Sequence, residues 1–463
     1  MDSWAATELR HADLGDKRLN RRLVRIVEAL SAQPTASVPQ ACGTWAATKA
    51  TYRFWSDDRL KPRAILDSHI RSTIERVATQ ERVLLIQDTT ELDFAHHPAT
   101  KGLGRLEHPA QYGMKVHSVM AASTQGVPLG LVHQWTWVRE AGTTGQRHRR
   151  RDRATADKES QRWLTGVDES QRQIPTAVEI VTVADREADI FDLFAQPRRP
   201  GSHLLIRAAH NRRVDSEVCY LWDAVRQSPV RGGYTLELRR KEDTHARQAR
   251  IGVRYTSVMI QPPRHHLQRK TLTPLPLQVI LAEEEDAPPG SEPVGWLLLT
   301  SLPIDSLEDA LCYIRWYSYR WLIERYHFIL KSGCRLEDLQ LEHASRIERA
   351  LATYDIVAWR LLWLTYEARD NPDRPCSEVL ETHEWQALYC TIHRTAVPPQ
   401  EPPSLRQAVH WIARLGGFPD RRSDGEPGVK TIWLGLRRLS DISATWQLAH
   451  AHSNPSPTGL DYG

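Results

Sequence analysis

The chain has 463 residues, of which 41% are hydrophobic and 25% charged, with a formal net charge of +4 at pH 7. This composition is typical of a globular protein large enough for more than one domain, and the lack of an apolar run of about 18 residues excludes a membrane-spanning helix. Six scattered cysteines without a CxxC pair exclude a disulfide framework and a cysteine-based zinc site. The small net charge does not identify a nucleic-acid partner, so local charge clusters must decide that question.

The first predicted element is an amphipathic helix from Asp16 to Leu30, with apolar residues on one face and arginines on another. Its arginines are Arg18, Arg21, Arg22 and Arg25. A second helical stretch, residues 44–58, adds Lys49. We expect the first seventy or so residues to form a small helical module with a basic face, which either is merely solvated or binds DNA. The N-terminal stretch lacks the apolar region of a secretory signal, which predicts a cytoplasmic protein.

A mixed α/β pattern begins near residue 83, where short apolar runs alternate with turn signals and helical stretches. The first run, RVLLIQD, ends at Asp88 as a buried strand would. A later strand stops at Asp185 and passes into a helix, and the next strand, HLLIRAAH, carries Arg207 near its end. These elements predict a mixed sheet covered by helices.

Residues 214–295 differ from the core pattern because they combine β-like runs with proline-rich connections. We therefore expect a β-rich insertion in this region. The run GWLLLTS, which contains Trp296, then returns to a core strand. Further helical patterns follow, and the proline-rich segment 397–404 marks a linker before the last of them.

The segment WYSYRWLIERYHFILK combines a polar stripe with an apolar one. The polar stripe consists of Tyr317, Arg320, Glu324 and Lys331. At about 100° per residue, these four side chains fall within roughly 60° of one helix face. The apolar stripe beside it consists of Trp316, Ile323 and Leu330. The polar stripe is either the solvated side of an amphipathic helix or a functional surface, and the rest of the chain must distinguish the two.

Three acids occupy positions that a mixed sheet can bring together, namely Asp88, Asp185 and Glu324. Such carboxylates can hold two divalent cations about 3.5–4 Å apart, which activate a water or a 3′-hydroxyl and stabilise the leaving oxygen of a phosphodiester. Hard oxygen ligands favour Mg²⁺ or Mn²⁺. A strand-terminal aspartate also commonly caps the following turn, and this order of acids fits many metal-dependent nucleases.

Taken together, the motifs resemble those of the cut-and-paste DDE transposases of bacterial insertion sequences, in the subgroup typified by the Tn-five transposase. The similar segments include LGDKRLNRR, ATYRF, QDTT at Asp88, VHSV, DKESQRW, DREADIFD at Asp185 and WLLLT at Trp296. The most specific part is the Y-x2-R-x3-E-x6-K signature, which is present without a gap from Tyr317 to Lys331. The segments GGFPDRRSDGEPG and TIWLGL resemble the C-terminal dimerisation region of the family.

This resemblance implies an α/β fold with an RNase H-like catalytic core, interrupted by a β-rich insertion and flanked by helical N-terminal and C-terminal domains. The expected end-binding domain is residues 1–70. The core is expected at 71–367, with the insertion at about 214–295, and a mainly helical dimerisation region with a disordered tail at 368–463.

The resemblance also implies the reaction. The enzyme would bind the terminal inverted repeats of a mobile element in double-stranded DNA and excise the element by metal-dependent hydrolysis and hairpin formation. It would then join the 3′-OH ends to target DNA. Two chains would act as a homodimer in a synaptic complex, in the bacterial cytoplasm at the nucleoid.

Roles for individual residues follow from the same resemblance. The catalytic metal ligands would be Asp88, Asp185 and Glu324, with Mg²⁺ as the cofactor and Mn²⁺ as a substitute. The residues that hold phosphates near the cut would be Tyr317, Arg320 and Lys331. Arg207 would contact DNA close to the active site, and Trp296 would stack near a base flipped out at the hairpin. A tryptophan on a strand is otherwise more often a simple core residue.

Two other functions fit parts of the pattern. A binding-only repressor or domesticated relative would grip element ends without cutting, but it would be expected to lack an acid or the basic first module. A structure-specific RNase H-like nuclease would not need both an end-binding module and a dimerisation region. The presence of all these features favours the transposase.

Overall fold

The computed structural model describes residues 3–108, 110–139, 158–215, 219–238, 247–288 and 293–451. The predicted disordered tail lies almost entirely outside these ranges, as do parts of the predicted insertion. None of the helices within the described ranges is both long and apolar enough to cross a membrane.

Five helices form the N-terminal region. The second helix is amphipathic, as predicted. It begins after Asp16, whose carboxylate accepts a hydrogen bond from the Arg18 amide at 2.7 Å, and it buries Leu23, Ile26 and Leu30. The five helices are α1 (Trp4–Glu8), α2 (Lys17–Ala32), α3 (Val38–Cys42), α4 (Trp45–Trp55) and α5 (Pro62–Ala78).

The centre of the molecule is one mixed sheet, in which ten strands fall within the described ranges. They are β1 (Arg82–Asp93), β2 (Gly104–Arg105), β3 (Tyr112–Ser123), β4 (Pro128–Trp137), β5 (Glu179–Ala184), β6 (Ser202–Arg207), β7 (Gly232–Leu238), β8 (Arg247–Ile260), β9 (Leu275–Glu284) and β10 (Gly295–Thr300). The order across the sheet is β2-β3-β1-β5-β6-β10-β9-β8-β7, and β4 pairs with β3.

Five of these strands, in the order β4-β3-β1-β5-β6, form the RNase H-like core, which confirms the predicted fold class. β1 is antiparallel to β3 and parallel to β5, and β5 is parallel to β6. The prediction that the first strand ends at Asp88 was wrong. Parallel pairing with β5 ends at Ile86, but antiparallel pairing with β3 continues to Asp93. Asp88 therefore lies just beyond the parallel pairing, while Asp185 directly follows the last residue of β5.

The strands of the predicted insertion extend the core sheet. β7 pairs with β8, β8 with β9 and β9 with β10, which lies antiparallel to β6. The region is not purely β, because it also contains a short helix, α8 (Leu221–Gln227). Two helices lie between β4 and this region in the chain, α6 (Gln161–Gln173) and α7 (Phe191–Ala195).

The polar stripe predicted on one regular helix lies on three helical segments. Tyr317 belongs to α9 (Leu307–Ser318), Glu324 to α10 (Trp321–Phe328), and Lys331 to a π-helical turn, Ile329–Gly333. Between α9 and α10 the backbone bonds tighten to the i→i+3 pattern, as in the Arg320 amide donating to the Tyr317 carbonyl at 3.0 Å. The residues of the apolar stripe, Trp316, Ile323 and Leu330, are buried as predicted.

A long buried helix connects the regions of the molecule. This helix, α11 (Ala344–Asp370), packs against α2 and α5, against strand β4, and against the last helices of the chain. It crosses the boundary predicted at residue 367. The last helices are α12 (Thr382–His393), α13 (Leu405–Leu415) and α14 (Val429–Ala451).

The apolar side of α13 packs inside its own chain. Ala408 and Ile412, whose helical spacing would also suit a surface that joins two chains, are both 0% exposed and belong to a cluster with residues of α11, α12 and α14. Trp411 and Leu415 also pack against this cluster. These residues therefore stabilise the C-terminal region, and a surface that joins two chains must lie elsewhere.

Candidate active site and DNA surface

Asp88 lies in a half-buried position on β1, opposite Ser118 of β3. Its carboxylate accepts a hydrogen bond from the Thr89 amide at 2.8 Å. Burial and the nearby carboxylates of Asp185 and Glu324 raise the pKa of Asp88 to about 7, against the opposing effects of the Thr89 amide and the Arg320 cation. The structure therefore brings the three predicted acids close enough to interact electrostatically.

The other two acids have partners of their own. Asp185 caps a short 3-10 helix by accepting a hydrogen bond from the Glu187 amide at 2.9 Å. Glu324 forms an ion pair with Arg320 at 2.5 Å, between residues four apart across the start of α10. Both side chains are half-buried, so solvent can reach their carboxylates.

Within the described ranges, no group of three or more His, Cys, Asp or Glu side chains has the arrangement of a metal-binding site. The chemistry of the three acids nevertheless fits divalent cations. Mutual repulsion raises the pKa of Asp88, and a cation among the carboxylates would relieve that repulsion. All three donors are hard oxygens, which suit Mg²⁺ or Mn²⁺. Glu324 would have to turn away from Arg320 to serve as a ligand.

Tyr317 lies among two cations and an aromatic ring beside the acids. Its hydroxyl is buried and has no partner in hydrogen-bond geometry among the described residues, although the guanidinium groups of Arg320 and Arg207 lie close to it. Burial raises the pKa of Tyr317 against these two cations. The Trp296 ring meets the Tyr317 ring edge to face, with centroids 5.2 Å apart. Four residues predicted from the sequence thus lie together next to the acids.

Trp296 packs against the main hydrophobic core and, like Arg207, is partly exposed. Arg207 donates to the Gly295 carbonyl at 3.1 Å, which holds its side chain along β10. Lys331, in contrast, lies nearest to Glu337, with 3.9 Å between the ammonium nitrogen and the carboxylate. Glu337 also accepts from the Asp93 amide at 2.8 Å. Lys331 therefore lies near the C-terminal end of β1, where Glu337 binds the Asp93 amide.

Arg162 forms hydrogen bonds to residues that lie close in sequence to Asp88 and Asp185. Its Nε donates to Thr89 Oγ1 at 2.7 Å, and its Nη2 donates to Glu187 Oε2 at 2.6 Å. Thr89 follows Asp88, and Glu187 comes two residues after Asp185, so this arginine restrains the spacing of the two aspartates. It is only 8% exposed. The motif DKESQRW contains Arg162, but the pattern gives no reason to assign it a role.

A basic cleft runs between the start of α2 and one face of α4. Its cationic lining consists of Arg18, Arg22, Lys49, Arg53 and Arg59. Arg21 and Arg25, which the sequence groups with them, are exposed on α2 but do not line the cleft. Arg53 lies one helical turn after Lys49 on the same face of α4, so the two cations line the cleft together. The cleft has the charge and the exposure that a DNA backbone requires.

Family models match three successive parts of the chain. The Transposase DNA-binding model matches residues 1–60, the Transposase DDE domain model residues 79–360, and the Transposase Tn5 dimerisation domain model residues 356–456. The first match contains the basic cleft, and the second contains all three acids. The matches support DNA binding and dimer formation, and members of the DDE family generally use divalent metal ions.

The DDE match covers more than half of the chain, and the two flanking matches are also to transposase models. The mixed sheet places the acids inside this match, with helical regions on either side. The chain therefore belongs to the DDE transposases and is a DNA transposase with a DNA-binding region, a DDE catalytic core and a Tn5-type dimerisation region.

Proposed function

We propose that this transposase belongs to the YREK-signature subgroup and moves its element by cut and paste. It binds the terminal inverted repeats, excises the element by hydrolysis and hairpin formation, and joins the 3′-OH ends to target DNA. The observation that carries this proposal is the interaction of Asp88, Asp185 and Glu324 beside Arg320 and Tyr317. Carboxylates that can bind cations, next to cations that can bind phosphate, are what phosphodiester cleavage requires.

In this proposal Asp88, Asp185 and Glu324 hold two Mg²⁺ ions, for which Mn²⁺ can substitute. When bound, such cations strengthen a water or 3′-hydroxyl as a nucleophile and stabilise the leaving oxygen. The chain itself contributes the placement of the carboxylates. Arg162 restrains the first two, and the helix α10 presents the third.

The cations and aromatic rings next to the acids bind the DNA strand that is cut. Arg320 offers a guanidinium group, which suits a phosphate as well as it suits Glu324. The buried hydroxyl of Tyr317 is an available donor for a phosphate oxygen. Trp296 is partly exposed and stacks on an unpaired base at the hairpin, with Arg207 at the adjacent backbone. Lys331 reaches a phosphate after it leaves Glu337.

The N-terminal region, residues 1–70, binds the terminal repeat. Arg18, Arg22 and Lys49 line the basic cleft and contact successive phosphates. Arg21 and Arg25 lie outside the cleft and contact the flanking backbone. This arrangement fixes the position of the protein on the duplex, since phosphate contacts set register and orientation.

Two chains hold the two element ends in a synaptic complex. The chains join through the region that follows the catalytic core at 71–367. The residues from 368 to 463 supply the joining surface. Because the apolar side of α13 is covered within the chain, we place this surface on the outer side of α14. Leu448, near the end of α14, is 68% exposed, which is the kind of residue a helix pair would bury.

The experiment that tests this proposal measures cleavage of a labelled terminal repeat with Mg²⁺, beside a gel shift of the same DNA. Asp88→Ala, Asp185→Ala and Glu324→Ala are each expected to abolish cleavage and leave end binding unchanged, because a metal ligand is lost while the basic cleft is intact. Hairpin intermediates resolved on a denaturing gel distinguish cut and paste from simple nicking.

Glu342→Ala is the matched control, because Glu342 is an exposed glutamate whose ion pair with Arg346 lies on the surface. It should cleave like the wild type. Normal cleavage by any one of the three alanine variants removes that residue from the site. Binding of repeat DNA by the wild type without any cleavage would favour the binding-only protein instead.

A further inference from the structure

A buried chain of hydrogen bonds runs beneath Glu324. The Tyr326 hydroxyl donates to Asp355 Oδ1 at 2.5 Å. Gln134 Nε2 donates to the same oxygen at 3.1 Å and to Ser118 Oγ at 3.3 Å. Tyr326, Asp355 and Ser118 are each 0% exposed. Four residues from α10, α11, β4 and β3 are therefore joined in the interior.

The two ends of this chain lie next to two of the acids. Tyr326 follows Glu324 by two residues on α10, so it points into the core while Glu324 points outward. Ser118 pairs directly with Asp88 across β1 and β3. The chain thus connects the helix that carries the third acid to the strand beside the first acid.

Placing a carboxylate in this buried space costs free energy. Burial raises the pKa of Asp355 to about 7, although hydrogen bonds from Tyr326 and Gln134 oppose the shift, and its Oδ2 has no hydrogen-bond partner within the described ranges. A phenylalanine and a leucine would fill the same volume without that cost. Unlike apolar packing, however, hydrogen bonds to a fixed acceptor are directional and restrict rotation and sliding of a helix.

The short length of α10 makes this restriction useful. The helix has eight residues, and irregular turns precede and follow it. Its own backbone bonds therefore hold Glu324 less firmly than the strand pairing holds Asp88. Within the described ranges, Tyr326 is the residue of α10 whose side chain donates a hydrogen bond to α11.

We infer that Tyr326 and Asp355 are positioning residues, which hold the helix of Glu324 at a fixed distance from the strand of Asp88. The inference rests on the proposed role of Glu324 as a metal ligand. Neither residue touches substrate. Their effect is on the placement of one carboxylate, and a displacement of about 1 Å is enough to slow an enzyme by roughly 100-fold.

The test uses the full-length chain with Tyr326→Phe and a matched control, Tyr313→Phe. Tyr313 is also buried and also donates its hydroxyl, to the Pro303 carbonyl at 2.9 Å, but its bond does not lead to the acids. Tyr326→Phe should slow cleavage about tenfold or more with unchanged repeat binding. It should also need a higher Mn²⁺ concentration for half-maximal thermal stabilisation, measured without DNA. Tyr313→Phe should match the wild type in both measurements.

The double variant Tyr326→Phe/Asp355→Leu separates positioning from stability. Removing both partners of a buried bond restores much of the stability that one deletion loses. We expect the double variant to regain its melting temperature and still to bind Mn²⁺ weakly and cleave slowly. Asp355→Asn keeps an acceptor for both hydrogens and should retain most of the wild-type rate. If Tyr326→Phe does not fold, Gln134→Leu tests the chain from its strand end and should slow cleavage as well.

Two results would overturn the inference: wild-type Mn²⁺ binding and cleavage in Tyr326→Phe, or full recovery of both in the double variant. Failure of the proposed function gives a different result. In that case Glu324→Ala binds Mn²⁺ and cleaves like the wild type, whatever the Tyr326 variants do.

Discussion

Two buried carboxylates in this protein shift their pKa in opposite directions. Glu8, on α1, accepts from His69 Nδ1 at 2.6 Å and from Arg76 at 2.7 Å. Burial raises its pKa, but these two partners outweigh burial and lower the pKa to about 2. Asp88 is buried beside two other acids, and its pKa rises to about 7. At Glu8 the two partners outweigh burial, whereas at Asp88 burial and the neighbouring acids raise the pKa together.

The difference separates an acid that stabilises the fold from one to which the proposed function gives a role in the reaction. The hydrogen bonds of the Glu8 carboxylate fully compensate for its burial. His69 donates to it from Nδ1, while Nε2 of His69 accepts from the Leu131 amide at 3.0 Å. Glu8 therefore joins α1 to α5 and to the sheet. Asp88 lies instead beside two other acids, Asp185 and Glu324, and in the proposed function their repulsion lowers stability and favours the binding of cations. Three predictions test this comparison.

The largest expected effect is the loss of stability in Glu8→Gln. A pKa lowered from 4.5 to about 2 corresponds to about 3 kcal/mol of stability at neutral pH. Urea unfolding of the wild type and the variant at pH 7 measures this difference. Glu342→Gln, at an exposed ion pair, should change the free energy of unfolding by less than about 0.5 kcal/mol.

The same variant has a defined pH dependence. Because the folded-state pKa of Glu8 is below its unfolded value, the stability it contributes is fully present above about pH 4.5 and is lost as the pH falls toward 2. The difference between wild type and Glu8→Gln should therefore shrink over that window. A difference that stays constant from pH 7 to pH 3 would show that Glu8 is not the group responsible.

The second effect is stabilisation by a divalent cation, which should depend on the repelling acids. Mg²⁺ at about 100 times its dissociation constant should stabilise the wild type by about 2.7 kcal/mol, and a chelator should reverse the change. Asp185→Asn should lose this response and be at least as stable as the wild type without Mg²⁺, since one repelling charge is gone. Full Mg²⁺ stabilisation of Asp185→Asn would contradict the comparison.

The smallest effect concerns the cations of α2 inside and outside the basic cleft. Arg18→Ala/Arg22→Ala removes two cations from the cleft, whereas Arg21→Ala/Arg25→Ala removes two from outside it. The first pair should reduce the slope of log affinity against log salt by about 0.9 for each phosphate that is no longer neutralised. The second pair should reduce it less. A slope in Arg18→Ala/Arg22→Ala that equals the wild-type slope would show that the cleft does not bind the repeat.

Much of the core could be predicted because its signals are local. The apolar runs of β1, β5 and β6 and the amphipathic pattern of α2 are each contained in a few consecutive residues. The resemblance to the transposase family then supplied the order of the acids. The irregularity between α9 and α10 could not be predicted, because helical periodicity does not show where backbone bonds tighten or where a π turn begins.

The covered side of α13 shows another limit. Its apolar spacing indicates that Ala408 and Ile412 are buried, but the same spacing fits burial against another chain. Only the packing of α11, α12 and α14 around them decides that they belong to the core of one chain. Amphipathic patterns specify that a face is covered, not what covers it.

The sequence by itself determined the identity of the acids, the strands that carry two of them, and the signature around Glu324, because residue type and spacing encode them. The tertiary structure decided how these residues are held. Arg162 meets Thr89 from 73 residues away, and Gln134 meets Asp355 from 221 residues away. Such pairs leave no periodic pattern in one sequence, since they depend on where the fold brings distant segments together. Their geometry fixes the relative positions of the acids, which residue type alone leaves open.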